Sequence, residues 1–339
     1  MNRDNSFPIS LLQQTILESD IIYPKLLINN ISVFLIYEFS MDMEILNLVL
    51  NHIVKNNSAL CTQIFNKKNT YYQKKLERDF INFKRYNFQN KSEEHIHNEF
   101  EKFGKEKIHV FDKKLFDFNL VILPNNKTGV FIKTHHIISD SWSVFLLEES
   151  IYNCYHKLAQ KEVLFKAKPD YLTYIETENQ YLTSPEFKRD NKYWLGKTSE
   201  YSVNNIFSRK YFDKDSNEAK RLVCSLSSEE TKVFSKFCNE FSASKFIVAL
   251  SIFCIYLNKT TNVKTFSIFT PVYNRKGRQE KDTIGLFVNT LPFFLDIDDS
   301  LNIFEFIKNI KKDFLSFLRH SRYPNHLIFE KLSNHEKNR

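Results

Sequence analysis

Two apolar runs with a short polar segment between them stand out in the middle of the chain. They cover residues 120–123 and 130–132, and Pro, Asn and Gly lie between them. Such a pattern is typical of neighbouring strands joined by a hairpin turn. Beyond residue 143 the apolar positions follow a helical period instead, at Val144, Leu147, Ile151, Tyr155 and Leu158. The pattern predicts a strand that ends shortly before a helix, and His135 and His136 lie at that junction.

Successive side chains on a strand point to opposite faces. If the strand continued through both histidines, His136 would share a face with Thr134, and His135 would share the other with Lys133. The two rings could then not converge on one metal ion or one substrate atom. One histidine should face a cleft and the other should brace the fold. Asp140 follows in the turn, where a carboxylate can cap the coming helix or form an ion pair.

Three interpretations of this stretch stay open on residue types alone. The first is a pair of structural histidines followed by a helix cap. The second is a zinc site, which is disfavoured because no third His or Cys lies nearby at ligand spacing and no His-Glu-x-x-His helix is present. The third is a general base at a strand end, with His136 in the cleft and Asp140 fixing the local geometry.

Elsewhere the periodicity alternates between strands and amphipathic helices, as in α/β proteins. Ser10 and Gln13 predict a capping box at the first helix, and Asp42 should cap the second. Further helices are predicted at 92–103, 170–175, 187–195 and 244–257, and strands at 31–39, 71–75, 81–86, 221–226 and 265–272. Residues 200–220 are predicted to be irregular, and Ser300 should cap a long helix near the end.

Length and composition narrow the class of protein. A chain of 339 residues is long enough for two packed cores. Its 42% hydrophobic and 26% charged residues are ordinary for a globular protein. The net charge of +8 is not gathered into a basic stripe with stacking aromatics, so no nucleic-acid partner is expected. A basic surface leaves docking of an acidic protein partner open.

Cysteine usage and the N-terminus bear on localisation. The five cysteines are scattered and form no Cys-x-x-Cys pair, which suits a reducing cytoplasm. The first residues lack the apolar run of a signal peptide, and no uninterrupted apolar stretch is long enough for a membrane helix. We therefore expect a cytoplasmic protein without a membrane partner.

Several stretches, in order along the chain, resemble motifs of condensation domains from nonribosomal peptide synthetases. The sequence His-His-Ile-Ile-Ser-Asp-Ser at 135–141 resembles their His-His-x-x-x-Asp-Gly signature, with Ser141 in place of glycine. Residues 284–290, Ile-Gly-Leu-Phe-Val-Asn-Thr, nearly match an Ile/Val-Gly-x-Phe-Val-Asn-Thr motif, and residues 271–275 match the segment before it. Weaker likenesses lie at Ser10 with Gln13 and at 320–324, and the resemblance spans residues 7–332.

The chain also departs from the family pattern. Cys61 aligns with an arginine that, in the family, pairs with the motif aspartate. A carboxylate without its cation loses a charge-assisted bond of roughly 1.5–3 kcal/mol. Another cation could serve Asp140, backbone N–H groups could do so, or the site could be degraded. The family's last motif and the closing strands of its second lobe have no counterpart here.

The resemblance implies an α/β fold of two lobes, each like chloramphenicol acetyltransferase, in a V-shaped pseudo-dimer with the active site in a tunnel between them. It divides the chain into an N-terminal lobe at 1–175, which carries the histidine motif, and a connector helix with an incomplete C-terminal lobe at 176–339. It implies an amide-forming acyltransferase. A donor carrier protein would present an acyl or peptidyl thioester, and an acceptor carrier protein an aminoacyl thioester whose amine attacks it.

By the same resemblance, His136 accepts the proton or orients the amine, and His135 and Asp140 have structural roles in the site. Backbone N–H groups at the start of the next helix could steady the oxyanion. No metal or nucleotide is required, and phosphopantetheine arrives on the carrier proteins rather than as a bound cofactor. Other synthetase modules are expected partners.

Three alternatives remain at this point. The chain could be an acyltransferase of the same superfamily that uses coenzyme A, or it could epimerise a carrier-bound aminoacyl group. It could also be a non-catalytic carrier-docking module, which Cys61, Ser141 and the missing C-terminal segment favour.

Overall fold

The computed structural model describes residues 6–164, 169–200 and 222–337. It forms two compact units. The first unit comprises Met1–Ser184 together with Tyr273–Val288, and the second comprises Pro185–Val272 together with Asn289–Arg339. A short segment late in the chain therefore belongs to the first unit, which the sequence pattern did not predict.

The described residues form strands and helices that alternate along the chain. In chain order they are β1 (Ser6–Pro8), α1 (Leu11–Ile22), β2 (Asn30–Tyr37), α2 (Met43–Lys55), β3 (Thr62–Lys67), β4 (Thr70–Lys75), β5 (Lys84–Asn87), α3 (Glu93–Lys105), β6 (Phe116–Leu123), β7 (Lys127–His135), α4 (Ser141–Ala159), α5 (Tyr171–Leu182), α6 (Pro185–Glu200), α7 (Ser228–Glu240), α8 (Lys245–Thr261), β8 (Thr265–Val272), α9 (Gly277–Lys281), β9 (Asn289–Asp296), α10 (Ile303–Arg319) and α11 (Asn325–Lys337). Short 3₁₀ turns cover Ser58–Cys61 and His136–Ile138. The predicted boundary between residues 175 and 176 falls inside α5.

The first unit contains two sheets. One has the strand order β2-β7-β6-β5, antiparallel except for the parallel pair β5–β6, and the other has the order β1-β4-β3. The predicted hairpin is confirmed as β6 and β7, whose pairing runs from Leu123 opposite Lys127 to Phe116 opposite Thr134. Nearly every residue of β7 is buried, because the strand is flanked by strands on both sides and covered by core side chains. The central strand thus leads the chain directly to the two histidines.

Helices α2 and α4 contribute apolar faces to the core of the first unit. Asp42 caps α2 as predicted, and its side chain accepts the N–H groups of Glu44 and Ile45. The buried positions of α2 recur at helical spacing, at Leu46, Val49, Leu50 and Ile53. Leu146, Leu147 and Ile151 of α4 belong to the same cluster. This packing fixes the helix whose first turn follows the histidine motif.

The second unit has a smaller sheet, in which β8 pairs with β9 in antiparallel register. Its core gathers Trp194, Phe266, Phe293 and Phe317, all at most 2% exposed. Helix α10 is capped by Asn302, not by Ser300 as predicted, because the Asn302 side chain accepts the N–H of Glu305.

Two further predictions fall wholly or partly outside the described residues, and one of them is wrong in its described part. The predicted irregular stretch 200–220 lies outside the described residues except for residue 200, which ends α6, and so does position 221 of the predicted strand 221–226. The described part of that strand, 222–226, forms no strand in the structure, and Leu222 and Val223 are 92% and 74% exposed. Apolar residues alone do not make a strand there, because no strand among the described residues pairs with 222–226 to supply ladder hydrogen bonds.

No single helix in the described ranges is long and apolar enough to cross a membrane, while α7 and α8, bent by 94°, reach that length and composition only as a pair.

Candidate functional site

The two histidines lie where β7 ends. The strand stops at His135, and His136 begins the 3₁₀ turn His136–Ile138, so the strand alternation considered above does not extend to His136. The N–H of His136 is bound by the carbonyl of Asn29 at 2.7 Å. The two rings nevertheless differ in environment, since His135 is fully buried and His136 is partly exposed.

His135 is held between two partners. Its Nδ1 accepts the N–H of Ile137 at 3.1 Å, so the ring proton lies on Nε2, which is 3.2 Å from Oδ2 of Asp20. Asp20 is in turn bonded to Asn29. Burial alone would raise the pKa of Asp20, but the hydrogen bonds from His135 and Asn29 outweigh it and lower that pKa to about 2. The first histidine is therefore part of a buried polar network that braces the turn.

His136 has a different arrangement. Its Nδ1 lies 2.8 Å from the carbonyl oxygen of Ser139, which can only accept a hydrogen bond. The Nδ1 atom therefore carries the ring proton, and a neutral His136 has its lone pair on Nε2. This is the tautomer that a proton acceptor at Nε2 requires.

Asp140 occupies the position between the histidine turn and α4. It caps α4, because its Oδ1 accepts the N–H of Ser143 at 2.8 Å. Its Oδ2 accepts the N–H groups of Phe287 at 3.0 Å and Val288 at 3.3 Å. The N–H of Ser143, one of the donors that could have faced an oxyanion, is thus already bound.

A cation also serves Asp140, and it is Arg275. The Nη2 atom of Arg275 is 2.8 and 2.9 Å from the two carboxylate oxygens, and the two side chains are 0% and 3% exposed. The other terminal nitrogen, Nη1, donates to the carbonyls of Glu280 and Thr283, and the guanidinium carbon lies 4.0 Å from the ring centre of Phe287. Of the three possibilities left open for Asp140, another cation and backbone N–H groups both apply, and the carboxylate is fully partnered.

The position of Cys61 follows from this arrangement. Cys61 ends the 3₁₀ turn Ser58–Cys61, is 2% exposed, and donates its Sγ proton to the carbonyl of Val54 at 3.2 Å. Burial raises the pKa of its thiol, so it remains protonated and behaves as a small core residue. Because Arg275 already neutralises Asp140, a cysteine at this position leaves no buried charge without a partner.

Ser141 is accommodated without backbone strain. It is the first residue of α4, it is exposed, and it is not among the described residues with positive φ. A glycine is therefore not needed at this position for its conformational freedom.

Gly285 has a packing role instead. A Cβ atom built on it would lie 2.1 Å from Cδ2 of Tyr171, a ring that is 1% exposed and whose hydroxyl donates to the carbonyl of Leu286. Its N–H donates to the hydroxyl of Ser143 at 3.0 Å. A glycine can be needed for a positive φ or for close packing, and at this position the structure supports close packing. The segment that carries Arg275 thereby lies directly against the start of α4.

Three residues of this site were not assigned a role from the sequence. Arg275 lies in the segment 271–275, and its motif likeness was a usable signal. Asp20 and Asn29 were missed altogether, and nothing in the spacing of Asp20 pointed to His135, which lies 115 positions later. Across the described residues, no group of three or more His, Cys, Asp or Glu side chains is placed to hold a metal ion.

Comparison with solved structures defines the fold class. The first condensation domain of the calcium-dependent antibiotic synthetase, in complex with a substrate analogue, aligns with a TM-score of 0.84 at 17% identity, over 98% of this chain and 78% of that one. A variant of the starter condensation domain of rhizomide synthetase in complex with C8-CoA aligns with a TM-score of 0.82 at 16% identity, over 97% and 75% of the two chains. The fold is thus the α/β fold of condensation domains, of the chloramphenicol-acetyltransferase type.

Sequence comparison gives the family. The family model described as Condensation domain matches residues 4–339, and the chain belongs to the condensation-domain family. A plipastatin synthase from Bacillus subtilis (strain 168) is 26% identical over 338 residues, which is 98% of this chain. The chain spans only 13% of that relative's length. The family resemblance inferred from the motifs is therefore confirmed.

Proposed function

We propose that the chain forms an amide bond between a carrier-bound acyl or peptidyl thioester and the amine of a carrier-bound aminoacyl group. The observation that carries the proposal is the state of His136. Its Nδ1 proton is committed to the carbonyl of Ser139, which leaves Nε2 as a proton acceptor on a partly exposed ring. His135, by contrast, is fully buried with both ring nitrogens engaged.

The reaction needs little from the protein beyond positioning and one base. The amine nitrogen attacks the thioester carbonyl, a C–N bond forms, and the C–S bond breaks with release of the carrier thiol. Nε2 of His136 takes the proton that the amine loses, and the departing thiolate is protonated in turn. Holding the two reactants in attack geometry is the largest contribution. Proton acceptance or orientation by His136 contributes roughly 10²–10⁴-fold.

Asp140 and His135 act on the position of His136 rather than on the substrates. Asp140 fixes the start of α4 through Ser143 and is itself fixed by Arg275. The turn between His136 and Asp140 is thereby anchored at its C-terminal end. The carrier proteins are the expected partners, and phosphopantetheine reaches the site attached to them.

A second candidate is acyl transfer from coenzyme A in place of the donor carrier. The observation that favours it is the likeness to a starter condensation domain whose solved complex contains C8-CoA. Both candidates use the same amine chemistry and the same histidine, and they differ in what bears the thioester.

The test is a condensation assay with loaded donor and acceptor carriers, in parallel with acyl-CoA as donor. His136→Ala should lower product formation roughly 10²–10⁴-fold. His109→Ala, which removes an exposed histidine of the same unit, should leave the rate unchanged. Equal rates for the wild type and His136→Ala, above the background without protein, would remove His136 from the mechanism. Product with acyl-CoA as the donor, and none with the loaded donor carrier, selects the second candidate. Carrier binding without turnover would identify the chain as a non-catalytic docking module.

A further inference from the structure

Asp20 lies on α1, far in sequence from the histidine motif, yet the residue is only 7% exposed and its carboxylate faces that motif. Its two oxygens have different partners. Oδ2 is bonded to Nε2 of His135 at 3.2 Å, while Oδ1 accepts the side-chain amide of Asn29 at 3.0 Å and lies 3.4 Å from the ammonium of Lys107. The reaction as proposed uses none of these contacts directly.

The hydrogen bonds of Asp20 to His135 and to Asn29 each connect it to the backbone beside His136. On the first route, the ring of His135 accepts the N–H of Ile137 at 3.1 Å. On the second route, the backbone carbonyl of Asn29 accepts the N–H of His136 at 2.7 Å. The two peptide N–H groups on either side of the His136 Cα are thus anchored through one carboxylate. The ring of His136 is carried by that backbone.

We infer that Asp20 is a positioning residue for His136, acting through His135 on one route and through Asn29 on the other. This inference rests on the proposed function. The carboxylate is suited to the position because both of its oxygens are acceptors, and the three groups that face it are all donors. A side chain with one acceptor and one donor cannot satisfy both routes.

Asp20→Asn tests this, since the amide has the shape of the carboxylate. If its oxygen faces His135, its NH₂ group meets the donors of Asn29 and Lys107. If its NH₂ group faces His135, the ring must move its proton to Nδ1, where it meets the N–H of Ile137. One contact is lost in either orientation, because the Asn29 amide cannot turn its oxygen toward the new NH₂ group without losing its own bond to the carbonyl of Ile16. We expect kcat to fall about 10- to 100-fold, because small misplacements of a reacting group have effects of this size. The KM for each carrier should stay within about twofold, since Asp20 is buried and its oxygens are bound to His135, Asn29 and Lys107.

The matched control is Asp190→Asn in the second unit. Like Asp20, Asp190 is a buried aspartate that is hydrogen-bonded to a histidine, at 2.7 Å from Nδ1 of His320. Both variants should lose stability, but only Asp20→Asn should lose kcat per folded molecule. Equal kcat values for wild type and Asp20→Asn would overturn the inference, as would an equal loss in both variants. If Asp20→Asn does not fold, Asn29→Ala removes the second route alone and should still lower kcat, and an unchanged kcat would overturn the inference.

Residue-resolved hydrogen exchange separates this inference from the proposed function. In Asp20→Asn, the backbone amide of His136 or of Ile137 should exchange at least about tenfold faster than in the wild type, after normalisation to core amides of the same unit. In Asp190→Asn, neither amide should exchange faster. If the wild type forms no product, the proposed function fails, and the exchange rates alone decide whether Asp20 fixes this turn. Unchanged exchange at both amides would overturn the inference whatever the activity.

Discussion

The buried pair of Asp140 and Arg275 gives a prediction that can be worked out from its contacts. Asp140→Asn removes one charge but keeps a good helix cap, so the loss reflects the charge rather than the cap. Arg275→Met removes the other charge and keeps an apolar stem beside Phe287. Each single change leaves a buried charge without its counterion. Breaking such a pair costs about 3–5 kcal/mol, and we expect the lower part of that range because backbone N–H groups or carbonyls still bind the remaining charge.

The double variant should cost far less than the sum of the two single changes, because neither charge is then left buried alone. We expect about 3–4 kcal/mol for the double variant, and hence a coupling of about 3 kcal/mol between the two residues. The exposed pair of Glu44 and Arg85 is the matched control. A cycle on that pair should show no measurable coupling, since exposed ion pairs contribute little.

The assay should follow the first unit alone, because a chain with two units need not unfold in one step. The chain contains two tryptophans. Trp142 lies in the first unit, where its ring packs on Tyr273 at 4.8 Å, and Trp194 lies in the core of the second. In a Trp194→Phe background, tryptophan fluorescence during urea unfolding therefore reports the unit that contains the pair. Additivity of the two single changes within about 0.5 kcal/mol would refute the reasoning.

Two further predictions concern stability. Gly285→Ala should destabilise the first unit by about 1–3 kcal/mol or more, because the new methyl group overlaps the buried ring of Tyr171. The control Gly196→Ala lies in α6 with nothing within 4 Å of the added methyl group, and it should be neutral or slightly stabilising. Urea unfolding measures both free-energy changes, and equal effects would contradict the packing argument. Acid should also weaken the first unit through Asp20. The pKa of Asp20 in the folded protein, about 2, lies below the unfolded value of 3.8, so its contribution of roughly 2 kcal/mol is complete above about pH 4 and is lost as the pH falls toward 2. Asp20→Asn should flatten the pH dependence of the unfolding free energy in that window, and an unchanged slope would show that Asp20 is not its source.

The local sequence pattern was enough to predict the elements that carry the histidine motif. The hairpin of β6 and β7, the capping box at Ser10 and the helix after Asp140 depend on residues close in sequence, so their periods and caps were visible without coordinates. The failed cases depended on neighbours or on competing local bonds. The strand predicted at 221–226 found no pairing partner in its described part, and Asn302 rather than Ser300 supplied the cap of α10.

By itself, the sequence determined the α/β class, the family through its motifs, and the junction at which His136 and Asp140 lie. Only the tertiary structure decided which side chains bind to the histidines and the aspartate at that junction. Asp20 reaches His135 from 115 positions away, and Arg275 reaches Asp140 from 135 positions away. Such contacts have no period and no fixed spacing, because they depend on how separate elements pack. A buried carboxylate must find a partner somewhere, but only the folded chain determines which one.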